Sequence, residues 1–273
     1  MPAGALEIKL IFRKGQFNLA IKKGAGAIQG LTATNDSGSS AEFTPFKSGT
    51  TLKVKVKGTE DLAEYYNYGI FKVVNSFTPK NPAVRNERGF VESNPSPWDK
   101  AAQYYSDQAR QAPNDKAEEE AKKQARLYRG VQKYIVGFHD LESGKDIVVD
   151  LTRNQALVVH GVIKKYEKKL DKLAFELSKQ GESTSTTVSL SPIIDMDEDL
   201  SDKERENFEK AAGQPFNDSL FDGVLYEMDE AEQIENLKKA GFDVSLIGLS
   251  GAAKADEEPK DEALDIEESE LPF

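Results

Sequence analysis

The chain contains no cysteine and only two histidines, His139 and His160. Disulfides, thiolate nucleophiles and cysteine-ligated zinc are therefore excluded, and two imidazoles are too few for most zinc sites. No run approaches the roughly 20 apolar residues that span a bilayer, and the opening MPAGALEIKLIF lacks the basic start and cleavage pattern of a secretory leader. A cytoplasmic protein without membrane partners is predicted. Phosphate-cradling GxxxxGK[ST], the nucleophile turn GxSxG and the zinc motif HExxH are all missing, so the sequence presents no convincing catalytic centre and asks for no cofactor.

What is present is an uneven charge. The chain as a whole carries −11. Residues 1–194 hold 29 Lys and Arg against 22 Asp and Glu, a net +7, whereas residues 195–273 hold 7 against 25, a net −18. A basic body with an acidic appendage points to a polyanion partner for the one and a separate role for the other.

The body reads as β-rich. LEIKLIF (6–12) and FNLAIKK (17–23) flank RKGQ as a hairpin, and residues 24–40 have loop composition. TLKVKVK (51–57) alternates, with Leu52, Val54 and Val56 on one face and Lys53, Lys55 and Lys57 on the other. The lysines would recur at about 6.6 Å, close to the phosphate spacing of an extended single strand; a lysine-protected edge strand is the competing reading. YYNYGIFKVVNSF (65–77) predicts a further, strongly aromatic strand, and the four-proline stretch 78–97 predicts irregular chain. Ser96-Pro97-Trp98-Asp99 has the form of a helix start, giving a helix over 97–111, and a charged helix follows over 115–127. Strands are expected at 127–140 and 146–151, a long helix opened by Thr152 with its stripe running through Ile163, Tyr166, Leu170, Leu173 and Leu177, and a last strand at 184–193.

Beyond residue 194 the chain is acidic and helical, with helices after Ser201 and over 229–241, and it ends in an acidic tail, 250–273, of disordered composition. DMDEDLSDKERE places Asp195, Asp197, Asp199, Ser201 and Glu206 at calcium-loop spacing, but the glycine position is Leu200, so a solvated acidic helix start is the better account. The fold class that results is mainly β with added helices (α+β): a five-stranded OB barrel over 1–194 with a helical insertion at 97–128, an acidic helical extension over 195–249 packed on the body through its apolar residues, and the tail. Cations that follow phosphates, interleaved with rings that stack on bases, suit single-stranded nucleic acid. The candidate contacts are Lys53, Lys55, Lys57, Tyr65, Tyr68, Lys72, Arg85, Arg88, Trp98, Tyr104, Tyr105, Arg129 and Lys133. The rival readings are a nuclease using Asp195, Asp197 and Asp199, and an acidic module that mimics DNA.

The acidic run closing on Glu270-Leu271-Pro272-Phe273 is similar to the Pro-Phe-terminated tails of bacterial single-stranded DNA-binding proteins. Together with YIVGFHDLESGKDIVVDL (134–151), the layout resembles the single-stranded DNA-binding proteins of tailed bacteriophages. It departs from the bacterial proteins in its helical insertions and from zinc-containing phage relatives in lacking cysteine. The resemblance implies a non-catalytic replication or recombination protein working in the host cytoplasm. Its tail residues Asp265, Glu267, Glu268, Glu270, Leu271, Pro272 and Phe273 would dock on a polymerase, primase, helicase or nuclease.

Overall fold

In a computed structural model, residues 43–182 and 185–249 are described. The hairpin expected over 6–23, the loop over 24–40 and the acidic tail lie outside them. The strands are β1 Thr51–Lys55, β2 Leu62–Ile70, β3 Val74–Pro79, β4 Val84–Arg85, β5 Val91–Ser93, β6 Val131–Asp140, β7 Lys145–Thr152, β8 Phe175–Gln180, β9 Thr187–Pro192 and β10 Glu227–Met228. The helices are α1 Pro97–Arg110, α2 Asp115–Tyr128, α3 Arg153–Lys165, α4 Met196–Asp199, α5 Asp202–Lys210 and α6 Glu230–Lys239. The result is an α+β protein built on one mixed sheet in the order β10-β3-β2-β6-β1-β8-β9, with β7 on the other edge of β6 and β4–β5 as a separate ribbon. Among the described residues the sheet does not close on itself, so the expected five-stranded barrel gives way to a larger open sheet.

β6 organises the sheet. β7 follows one of its edges from Lys133↔Thr152 to Asp140↔Lys145. The other edge is shared: β2 takes the first half, from Asn67↔Val131 to Leu62↔Val136, and β1 takes the end at Lys55↔His139 and Val54↔Asp140. β8 then pairs with the far edge of β1. Side chains opposite each other share a face, which sorts the sheet into two sides. On one, Val54, Val136, Phe138, Val149, Leu151, Phe175 and Leu177 form a core with Ala156, Val159 and Ile163 of α3. The opposite side carries Lys53, Lys55, Tyr65, Lys133, Ile135, His139, Asp146, Val148 and Asp150, and the segment 196–225 covers it. There Phe208 lies beneath the Lys55 ammonium, 3.5 Å from ring centroid to Nζ, and Phe216 and Phe221 pack with Tyr65, Ile135 and Val148. Gly137 is required beneath Phe216, since a Cβ there would stand 2.5 Å from the ring.

The α1–α2 hairpin, α6 and the turn Val244–Ile247 surround Trp98 and pack on β2 and β3. Capping boxes start α1 (Ser96 with Asp99), α3 (Thr152 with Gln155), α5 (Ser201 with Glu204) and α6 (Asp229 with Glu232), each satisfying two backbone donors that a helix start leaves orphaned.

Four elements differ from expectation. Residues 65–77 form two strands instead of one, because the register shifts between Tyr68 and Ile70 and the chain reverses at Phe71–Val73. The proline-rich stretch contains the β4–β5 ribbon. α2 runs on to Tyr128, so β6 begins only at Val131. α3 stops at Lys165, and Leu177 belongs to β8, where Phe175, Leu177 and exposed Glu176 alternate with period two; the 3-4 spacing of the stripe continued by coincidence across a helix-to-strand junction.

Candidate nucleic-acid interface

The lysine row of β1 is not a free surface. Lys55 is 1% exposed; its ammonium donates to the Asp171 carbonyl at 3.2 Å, and burial lowers its pKa. Lys57 pairs with Asp146 at 2.8 Å, and Lys53 pairs with Glu204 at 3.1 Å while donating to the Asp199 carbonyl at 2.6 Å. The acidic extension thus occupies the place that phosphates were expected to take. Asp146 is held below the usual carboxylate range: burial opposes this, but hydrogen bonds from His139 at 2.7 Å, from Lys57 and from the Asn217 backbone outweigh it. On the same face Tyr65 donates to Asp150 at 2.8 Å, Lys133 pairs with Asp150, and burial pushes the Tyr65 phenol upward.

Most of the predicted rings are also committed. Trp98 is fully buried, its indole N–H donating to the Gln233 carbonyl at 3.2 Å. Tyr68 is buried against Phe77 and Trp98. Tyr104 and Tyr105 are half-buried, packed on Phe242 and, for Tyr105, stacked on Tyr128 at 5.7 Å. Of the expected contacts, Lys72, Arg88 and Arg129 remain exposed. Asp195, the proposed first metal ligand, caps α4 by accepting from the Asp197 and Glu198 backbones at 3.1 Å, and Leu200 is a core residue.

The candidate cleft is the strip of the α3 face of the sheet where cross-strand pairing sets Glu64 beside Tyr134 and Tyr66 beside Gln132, bordered by the β4–β5 ribbon and the start of α3. Tyr134 donates to Glu64 at 3.0 Å and accepts from the Gln132 amide at 3.1 Å; burial and Glu64 push the phenol to about 12. One wall is the ribbon, fixed by Arg85. That guanidinium pairs with Asp99, donates to the Tyr68 hydroxyl at 2.7 Å and to the Gly89 carbonyl at 3.0 Å, and stacks 4.0 Å above the Tyr66 ring. Gly89, at φ +80, brings the ribbon's turn against the Tyr66 hydroxyl, which a Cβ would approach to 3.0 Å. The turn also carries exposed Arg88, and Phe90 with 66% of its surface in water. The other wall is the start of α3, where exposed Arg153 favours the ionised forms of both Tyr66 and Tyr134.

Among the described residues neither Arg88 nor Arg153 is in an ion pair. The cleft therefore offers two uncommitted guanidinium groups, two partly exposed tyrosines and a free phenyl ring, the equipment for gripping a phosphate chain and stacking flat rings. Sequence reasoning brought Arg85 and Arg88 to this cleft but missed Tyr66, Tyr134, Phe90 and Arg153. Tyr66 sits among equally aromatic neighbours, and only the β2–β6 pairing shows which tyrosine faces outward. No family model, curated protein or solved structure matches the chain.

Proposed function

We propose that the chain is a non-catalytic single-stranded DNA-binding protein of the phage type. It coats DNA through the Tyr66–Tyr134 cleft and recruits replication proteins through its acidic tail. The observation that carries this reading is the cleft's pairing of uncommitted arginines, Arg88 and Arg153, with accessible rings. The OB-type reading draws support from the order of elements: the β6–β7 hairpin, α3, the β8–β9 hairpin, and β1 between β6 and β8 follow the strand–helix sequence of that fold. β2, β3, β4, β5, α1 and α2 then form an insertion between its first two strands. The outer face of β6–β7, which OB proteins commonly give to oligonucleotides, is covered here by residues 211–226, so the cleft is the surface left for DNA.

A tethered polyanion competes with DNA for such a cleft at high effective concentration, so removing residues 254–273 should tighten DNA binding at low salt and abolish recruitment of replication enzymes. The primary test is retention of labelled oligo-dT by the full-length chain across a salt series. Binding should weaken with log salt by about 0.7 per phosphate neutralised, and Arg88→Ala with Arg153→Ala should flatten that slope. No retention even in dilute buffer would refute the proposal.

A further inference from the structure

We propose that Glu64 makes the cleft prefer guanine: its carboxylate accepts from the N1–H and N2–H of a guanine base laid against the sheet. This rests on the single-strand reading above and adds a base preference to it. A carboxylate is out of place on a surface that follows phosphates, since like charges there oppose binding. Glu64 nevertheless stands on β2 directly opposite Tyr134, exposed to solvent, and among the described residues no cation pairs with it. The Tyr134 hydroxyl takes up one lone pair of Oε2. A carboxylate has about four such acceptor sites, so most of its capacity is open to a ligand.

The hydrogen bonds around Glu64 fix the direction of each donor. A carboxylate only accepts, so the Tyr134 hydroxyl spends its single proton on Glu64, at 3.0 Å. With its pKa pushed up to about 12 by burial and by Glu64, the phenol keeps that proton at neutral pH. Its oxygen is then left to accept, and Gln132 must turn its amide N–H toward it, at 3.1 Å. Gln132 retains one N–H and its carbonyl oxygen, and the Tyr66 hydroxyl, against the ribbon's turn at Gly89, can donate or accept. Those groups suit any base. Glu64 alone on this strip is restricted to accepting, so discrimination falls to it.

Bases differ in what their pairing edges, bare in a single strand, bring to a charged acceptor. Guanine carries two adjacent donors, N1–H and N2–H, which match the two oxygens of one carboxylate as a bidentate, charge-assisted pair. Adenine and cytosine bring one amine beside a ring nitrogen whose lone pair faces the carboxylate unfavourably. Thymine brings a single N–H flanked by two carbonyl oxygens. Charge also orients the strand. Arg153 and Glu64 act with opposite sign on the Tyr134 phenol, so both lie within electrostatic reach of it. Phosphates are drawn toward the guanidinium and repelled by the carboxylate, which leaves the bases on the Glu64 side. Because Glu64 is exposed, water competes for the same lone pairs and the preference is modest.

The test compares the full-length chain on oligo-dT with the same strand in which every third thymine is replaced by guanine, by adenine or by hypoxanthine, which is guanine without its N2 amine. Wild type should bind the guanine strand about tenfold more tightly than oligo-dT, the lower part of the range for one bidentate contact, and the hypoxanthine strand should lose most of that gain. Glu64→Gln keeps the shape of the side chain but offers one acceptor and no charge. It should lose the guanine gain, hold oligo-dT at least as tightly as wild type and melt at the same temperature. Equal wild-type affinities for the guanine and thymine strands, a gain matched by adenine, which stacking alone would produce, or a preference that survives Glu64→Gln would overturn the inference while leaving the cleft reading intact. Failure to bind any of the strands in dilute buffer would remove both proposals.

Discussion

Arg85 joins stability to the cleft through one side chain. It neutralises buried Asp99, satisfies Tyr68 and holds the β4–β5 ribbon over Tyr66. Arg85→Ala leaves Asp99 without its partner and should cost about 3 to 5 kcal/mol in thermal or urea melting, with a loss of oligo-dT affinity as the ribbon loosens. Arg85→Lys keeps the charge without the planar fork, and should recover part of the stability and little of the affinity. Asp146 clamps the extension to the sheet in a comparable way, and its contribution depends on pH. Because its folded pKa lies below the ordinary aspartate value of 3.8, its stabilisation is complete above 3.8 and lost as pH falls through the lower folded value. Asp146→Asn should therefore cost about 3 kcal/mol near neutrality, and its melting temperature should converge with that of wild type in acid. Neither role could be read from the sequence. Arg85 stands in a proline-rich stretch without period, and the partners of Asp146 are Lys57 just beyond β1, His139 of β6 and the Asn217 backbone.

Elements announced by local chemistry were readable; those decided by distant partners were not. Ser96, Thr152 and Ser201 mark their helix starts because a capping box lies within four residues of chain. The β2–β3 reversal depends on a register shift at Gly69, and the end of α3 depends on β1 recruiting Leu52↔Leu177. The extension is the element most widely shared among the cores. Residues 195–249 supply Leu200 and Phe208 to one core cluster, Phe216 and Phe221 to a second, and Met228, Leu237, Phe242 and Val244 to a third. A chain ended at residue 194 should consequently fail to fold, with poor amide dispersion and no cooperative melt. Phe208→Ala, a milder lesion, should cost about 3 to 5 kcal/mol and loosen α5 from Lys55, which hydrogen exchange along 200–215 would register first.

The separation of charge along the sequence is real, but folding brings the two signs together. Lys53 of β1 pairs with Glu204 of α5 and donates to the Asp199 carbonyl of α4, while exposed Arg88 and Arg153, beside the cleft, are in no ion pair among the described residues. Arg153→Ala should reduce the slope of log affinity against log salt by about 0.7 while leaving the melting temperature unchanged, since Arg153 is exposed. Trp98 carries a practical consequence as well. As the single tryptophan, wholly enclosed and bonded to Gln233, it gives the molecule a native fluorophore that watches the interior melt and ignores what lands outside. An indole engineered at position 90 would then be seen against a steady background, so unfolding and ligand arrival can be followed in one cuvette.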